Sequence, residues 1–546
     1  MSAKVMQQTI ADYFKTQPVL NRTINKRLIW VCMMFMPMFM VAGGTEPGRQ
    51  YSSGTLPIIF INSEAPITTK EYYVNATCYI DALGQEGYES LGTAESPLAL
   101  EIKGHGNHTW REYAKKPYRL KFQDKVKPLG MKKNRHFTLL PHADDDLVYL
   151  RNTVGFELSR LIGMAYTPAQ EPVEVVLNGD YVGLYMLTEK ICVGKNRVEI
   201  TEQDDLATDP EKITGGWLLE IDNYESDDQI YIPNGDNDMN SVNITIQDPE
   251  VLSLEQRSYI TTFIEDTDKA ISSSDRDSKV WERYIDMDTL ARYYIVREIV
   301  DDAESFRGSC FIHKERGNDT KLIFGPVWDF GNAFHRGRNM FIWQDPPYGS
   351  VWISKIYMFH RFKEHVINLW QPFLGMQYPK LDKAIDDFID RIRYAVDSDL
   401  ARWPGNYTGS IDSRKQLMKQ YLSEKVAFLV SEWGEGSEQT VKKCETPTIT
   451  LAGDKLSFAC ATEGVVYHYT ISHSDVQNGA SSKDVNLTQT YTITVYASKD
   501  GYNDSEVASA TIKVAGSGLP GDVDGNGVVN VADHVELSKI ILGQGQ

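Results

Sequence analysis

The chain has 546 residues, 42% of them hydrophobic, which is enough to bury a large core and to organise two to four domains. Its 75 acidic against 56 basic side chains leave a net charge of −19, which excludes general binding to a nucleic-acid backbone. Lys115, Lys116, Arg119 and Lys121 still form a local basic cluster suited to a small anion.

Near the start, Leu28 to Ala42 is an uncharged apolar run of 15 residues. Lys26 and Arg27 precede it, and Ala42-Gly43-Gly44 ends it. This order of basic, apolar and small residues predicts an export signal over residues 1–44. A membrane span needs about 20 apolar residues. The mature chain is therefore expected to be periplasmic, cell-surface or extracellular, without a stable transmembrane span. Of the six cysteines, Cys32 lies in the signal, and no Cys stands at a lipobox position. Cys444 and Cys460 are either a disulfide pair or two buried thiols. No cysteine spacing reads as a zinc site.

Residues 56–122 read as strands and hairpins, in the stretches LPIIFIN, YYVNATCYIDAL, LALEIKGHGN and PYRLKF. The period changes at Asp144–Met164. Asp144, Asp145 and Asp146 suit the positive end of a helix, and Leu147, Leu150, Val154, Leu158 and Leu161 recur at helical spacing. Strands return at Val173–Leu177 and Gly183–Leu187, with Asn178-Gly179 as a hairpin turn. Leu252–Val300 and Trp352–Trp433 are mainly helical by pattern. Between them, Cys310–His313 and Leu322–Phe324 read as a strand pair turning at Gly317-Asn318-Asp319. The main domain, residues 50–435, is thus expected to be α+β. Short, regularly spaced strands predict a small all-β sandwich at 443–515. Gly516-Ser517-Gly518 reads as a flexible linker.

The clearest local chemistry lies at 520–543. Asp522, Asp524, Asn526, Asn530 and Asp533 take positions 1, 3, 5, 9 and 12 of an EF-hand-like loop, with Gly527 at the sharp turn and the Val528 carbonyl at position 7. Oxygens converging at this spacing predict Ca²⁺ binding. The segment resembles one repeat of a type I dockerin, a loop followed by a helix from about Val531 to Leu542. A full dockerin has two repeats and this chain carries one. The resemblance implies a cohesin-like or cell-surface partner for the tail.

A second signal is dispersed along the main domain. It runs G-H-G-N-H-T-W (104–110), K-K-P-Y-R-L-K-F (115–122), L-L-P-H-A-D-D-D (139–146) and L-R-N (150–152). It continues with L-N-G-D-Y-V-G-L-Y-M-L-T-E-K (177–190), N-R-V-E-I (196–200), G-G-W-L-L-E-I-D (215–222) and G-P-V-W-D-F (325–330). This ordered set resembles the CotH family, named for spore-coat protein H, across roughly residues 55–400. The β segment resembles the chitobiase-type or Ig-like domains often appended to such proteins.

The resemblance implies an atypical protein-kinase fold that transfers phosphate from ATP, with Mg²⁺ or Mn²⁺, to Ser or Thr of a protein substrate. Phosphoryl transfer needs a cation on the phosphates, carboxylates on the metal and a base orienting the hydroxyl. Asp329 in Trp-Asp-Phe-Gly is placed as a metal ligand, and Asn332 stands where a second carboxylate often follows. Lys116 or Lys121 is the expected phosphate lysine, with Glu189 as its partner or as a metal ligand. The expected catalytic carboxylate falls in 298–314. Aligning Arg307-Gly308-Ser309 puts Glu304 where the family carries Asp, with Asp302 two residues short. The family's Gly-Arg-Gly-Asn reads Gly104-His105-Gly106-Asn107 here. These departures keep a second expectation open, a non-catalytic surface or assembly protein that binds through its C-terminal modules. Trp110, Tyr118, Trp217 and Trp328 are expected as core or pocket walls.

Overall fold

The computed structural model describes residues 47–222, 229–233, 241–302, 304–334, 339–344, 351–405, 409–437, 444–452, 455–473, 490–499, 502 and 505–513. The expected export signal and the dockerin-like repeat lie outside the described residues.

Seven strands close into a barrel: β1 (Ile58–Ser63), β2 (Val74–Asp81), β3 (Leu98–Gly104), β4 (Tyr118–Val126), β5 (Asn134–Leu140), β6 (Gln170–Leu177) and β7 (Asp180–Glu189). Their order is β1-β2-β3-β4-β5-β7-β6. Parallel pairing of β1 with β6, from Ile58 opposite Glu174 to Ile61 opposite Leu177, joins the ends. Alternate residues face inward, as a strand's period of two requires. Ile59, Cys78, Ile102, Leu120, Phe137 and Val175 are among the buried residues of this core. Asn178 and Gly179 both take positive φ, 53° and 78°, and make the β6–β7 hairpin turn.

Helix α1 (His108–Glu112) lies between β3 and β4, and α2 (Leu150–Leu161) between β5 and β6. The helix expected from Asp144 begins six residues later. Tyr149 stands in the left-handed region at φ 65°, so the chain cannot continue as a helix through it. Asp145 instead accepts from the Leu147 and Arg151 backbone amides and pairs with the Arg151 guanidinium, a buried anchor ahead of the helix.

A second, antiparallel sheet follows, in the order β12-β11-β8-β10-β9. Its strands are β8 (Trp217–Ile221), β9 (Gln229–Ile232), β10 (Val242–Asp248), β11 (Cys310–Lys314) and β12 (Leu322–Phe324). Helices α3 (Leu254–Ile271), α4 (Met287–Ile299), α5 (Val351–Ile356), α6 (His360–Pro372), α7 (Lys380–Arg402) and α8 (Ile411–Trp433) pack with it into the larger core. A capping box at Ser253 and Gln256 starts α3, and the Asp286 side chain caps α4. Helix α4 is central: Tyr293, Tyr294, Val296, Arg297 and Glu298 are all inaccessible.

The C-terminal segment forms β13 (Thr448–Ala452), β14 (Lys455–Ala459), β15 (Val466–His473), β16 (Thr490–Ser498) and β17 (Ala508–Lys513) in two small sheets of two and three strands. Cys444 and Cys460 are not bridged, and the Cys460 thiol faces the Glu445 carbonyl at 3.0 Å. Among the described residues no helix is long and apolar enough to cross a membrane.

Candidate active site

The Trp-Asp-Phe segment leaves β12 and is gripped from two sides. The Phe330 amide donates to Asn152 Oδ1 of α2 at 2.8 Å. Gly155, one turn on, has no Cβ because the Phe330 ring would lie 2.4 Å from it. From α4, Arg297 donates to the Trp328 carbonyl at 2.6 Å and the Asp329 carbonyl at 3.2 Å, and lies over the Phe330 ring. These contacts hold Asp329 at φ 53°, a left-handed conformation a non-glycine residue keeps only where its surroundings impose it. The L-R-N motif and the W-D-F motif are therefore two halves of one clamp.

The same Arg297 also fixes the loop carrying the expected base. It donates to Asp302 Oδ2 at 2.7 Å, while Asp302 Oδ1 accepts the Glu304 amide at 3.2 Å. Asp302 is 1% exposed and bonded through both oxygens, so it braces the loop. Glu304 stands further out, and its carboxylate accepts a hydrogen bond from the Asn332 side-chain amide. The structure thus brings Asp302, Glu304, Asp329 and Asn332 together. Behind them Lys425 of α8 pairs with Glu298 and Asp301 at 3.1 Å each, inside the core.

Further carboxylates crowd this group. Burial pushes Glu220 of β8 up to about 8, and the charges of Asp222 and Asp329 add to it. Asp302 is pushed up to about 6 by burial, with Asp329 adding to the rise and Arg297 opposing it. Asp144 is raised by burial and then by Asp329. Like charges held this close favour a cation among them. Among the described residues, no three His, Cys, Asp or Glu side chains converge as a preformed metal site.

The lysines expected to meet phosphate lie elsewhere. Lys116 precedes β4, and its ammonium caps the Trp110 carbonyl and ring. Lys121 is on β4 but makes a half-exposed cross-strand pair with Glu101 at 3.0 Å. Glu189 reaches neither: its carboxylate takes Arg197 at 2.7 Å, the Tyr166 hydroxyl and the Ala169 amide. Lys115, the remaining lysine of that cluster, is buried against Asp399.

The cation that does face the carboxylates is Lys190, directly after β7. Burial and then Arg119 push its ammonium down to about 8, and it lies in electrostatic reach of Glu220 and Asp248. Among the described residues its ammonium has no hydrogen-bond or ion-pair partner. Arg119 and Lys103 are cross-strand neighbours on β4 and β3, and with Lys70 and Lys190 they hold His105 down to about 3, after burial. Residue reading missed Lys190, Asp144 and Glu220, although the first and last end the T-E-K and L-L-E strand motifs. His105 is thus a neutral ring in a basic neighbourhood, where the family carries Arg.

At this group Lys190, directly after β7 of the barrel, lies in electrostatic reach of Glu220 of the second sheet, which also feels Asp329. The family model described as CotH kinase protein matches residues 101–429, more than half of the chain, and the chain belongs to the CotH family. The match begins within β3, so β1 and β2, which complete the barrel, precede it. Among curated proteins none matches the chain significantly.

Proposed function

We propose that this protein is an exported CotH-type kinase that transfers phosphate from ATP to Ser or Thr of a protein substrate. The observation that carries the reading is the electrostatic contact of Lys190 with Glu220, which also feels Asp329, with Arg119 and Lys103 beside Lys190 on the barrel. ATP with Mg²⁺ or Mn²⁺ suits this set: Asp329 raises the carboxyls of Glu220, Asp302 and Asp144, and Lys190 and Arg119 are neighbouring cations. When bound, that group supplies the transferable phosphoryl and the charge that offsets it. Lys190, Arg119 and Lys103 would hold the phosphates. Asp329 and Asn332, an acid and an amide, would hold the metal. Glu304 accepts the proton of the attacking hydroxyl, and Asp302, locked by Arg297, keeps Glu304 in place.

The second reading is a non-catalytic surface or assembly protein. It is favoured by the bond between Asn332 and Glu304, which occupies the expected base. In either reading the 520–543 repeat binds Ca²⁺ through Asp522, Asp524, Asn526, Val528, Asn530 and Asp533 and presents a helix to a cohesin-like or cell-surface partner.

The deciding experiment uses the mature chain, labelled ATP, either metal and a Ser-rich acceptor. Asp329→Ala should lose metal-dependent nucleotide binding and all transfer. Glu304→Gln should keep binding and lose transfer. A wild type that binds no nucleotide with either metal removes the enzyme reading and leaves the binding protein.

A further inference from the structure

We propose that the β4–β5 hairpin docks a phosphorylated segment of the protein substrate, so that residues already modified hold the substrate beside Lys190. The source of those phosphates rests on the kinase reading above; the binding itself does not. In a chain with 75 acidic against 56 basic side chains, residues 113–143 carry nine Lys and Arg and one acid, Asp124. Five of the nine, Lys125, Lys127, Lys132, Lys133 and Arg135, lie at the hairpin end and are exposed. Among the described residues none of the five has an ion-pair partner; the pair of Lys121 with Glu101 lies further back along β4. Lysines elsewhere on the surface are matched, Lys383 with Asp387 at 2.5 Å and Lys419 with Asp382 at 2.8 Å. Like charges gathered without counter-charges repel, and a multivalent anion relieves them.

The turn explains why these cations stay in solvent. Leu129 and Gly130 take positive φ, 46° and 76°, and the Met131 amide donates to the Pro128 carbonyl at 2.9 Å. Pro128, Leu129 and Met131 are buried, the last two in the barrel core. They plug the barrel end and leave Lys127, Lys132 and Lys133 outside. The same plug narrows the partner. The apolar side chains of the turn are turned inward, so none is left to enter a bilayer. The net charge of −19 opposes a long nucleic-acid backbone, which would meet the acidic surface beyond the hairpin. A short phosphorylated segment meets the hairpin alone, and each phosphoserine brings about −1.5 to −2 charges and three acceptor oxygens.

The hairpin is continuous with the cations assigned to nucleotide. His136 stands opposite Lys121 across the β4–β5 pair, and its carbonyl accepts the Lys190 amide at 3.4 Å. Burial, and then the charges of Lys190, Arg119, Lys121 and Arg135, hold His136 down to about 4, so all four cations act on one ring. A run of positive charge therefore leads from Lys190 to the hairpin end. A segment held there by its first phosphates keeps its remaining hydroxyls at high effective concentration beside the site.

The test uses the full chain and a fluorescein-labelled peptide with several phosphoserines, beside its unphosphorylated form, a DNA duplex and phosphatidylglycerol vesicles. Anisotropy should show saturable binding of the phosphopeptide that weakens as salt rises from about 0.05 M to about 0.5 M. The combined variant Lys125→Gln, Lys127→Gln, Lys132→Gln and Lys133→Gln should weaken it at least about tenfold, because several exposed pairs are lost together, and should melt as wild type. Asp329→Ala should bind the phosphopeptide as wild type, which separates docking from the nucleotide site. On a Ser-rich acceptor, mass spectrometry should show wild type adding successive phosphates to one molecule, while the hairpin variant adds the first as fast and scatters the rest. Equal binding of the unphosphorylated peptide, tighter binding of the duplex or vesicles, or a hairpin variant that binds as wild type overturns the docking site. Successive addition unchanged in that variant overturns its role in holding the substrate. Phosphopeptide binding in a protein that transfers nothing removes the kinase reading and leaves the docking site standing.

Discussion

Lys115→Met tests whether a single buried ion pair docks α7 on the barrel. Lys115 and Asp399 are 284 positions apart, each 1% exposed, and meet at 2.7 Å. Asp399 also accepts the Leu184 amide at 2.9 Å and the Tyr149 hydroxyl at 3.2 Å, while Lys115 reaches the Leu184 carbonyl at 2.6 Å. Removing one member of such a pair leaves a buried charge and costs about 3–5 kcal/mol. Asp399→Asn should cost a similar amount, because the amide can still accept from Leu184 but no longer balances the ammonium. The double variant should cost clearly less than the sum, with a coupling of at least about 2 kcal/mol.

Asp399→Asn should also change the pH dependence of stability. The orphaned ammonium, already lowered by burial in wild type, falls further below the unfolded value of about 10.4. The unfolded state then binds the extra proton, and the deficit shrinks as pH rises from the folded pKa towards about 10. Urea unfolding of the full chain between pH 5 and pH 9, followed by tryptophan fluorescence, measures the slope. A slope unchanged from wild type, or a double variant costing the full sum, would refute the ion-pair account.

Arg297→Lys keeps the charge but loses the fork that joins Asp302 to Trp328 and Asp329; transfer should fall about 10²-fold, with nucleotide binding less affected, as separate kinetic and binding measurements would register. Lys190→Met should weaken nucleotide binding about tenfold or more, the worth of one charge-assisted contact, whereas Lys121→Met should change it little; calorimetric titration separates them. Metal-free protein should lose stability as pH rises from about 4.5 to about 8, because Glu220 is protonated more readily folded than unfolded; thermal unfolding of Glu220→Gln should show a flatter profile over that range.

The local elements were legible where one short pattern decides them. Asn178-Gly179 with alternating neighbours specifies a hairpin, and the apolar periods of 252–300 and 352–433 specify helices. Closure of the barrel was not, because it depends on pairing Ile58 with Glu174, and no local signal connects positions so far apart. The acidic run at 144–146 has the composition of a helix start, yet the left-handed Val148 and Tyr149 delay the helix and leave Asp145 to anchor Arg151. Lys115 and Lys116 read as one local basic cluster suited to an anion, although the first ends in the core and the second caps an indole. Burial decides such cases, and burial of a long side chain follows from which distant element covers it.

The choice between Asp302 and Glu304 shows the same limit at the site itself. In sequence both are acids in the same loop, and an Asp is the residue the family carries. What separates them is Arg297, five residues before Asp302. Its guanidinium has to satisfy the Trp328 and Asp329 carbonyls, and a buried cation needs a buried anion beside it. Asp302 fills that need, with both oxygens committed, and on the proposed reading it positions Glu304 and does not itself take the proton. Glu304 meets Asn332 at the edge of the same group, and the proposed base has one methylene more than the family's Asp. On this argument Glu304→Asp should be nearly as damaging to transfer as Glu304→Gln, since it shortens the reach while keeping the charge. Transfer restored or raised by Glu304→Asp would mean that the loop can advance, and that Asp302 does not hold it.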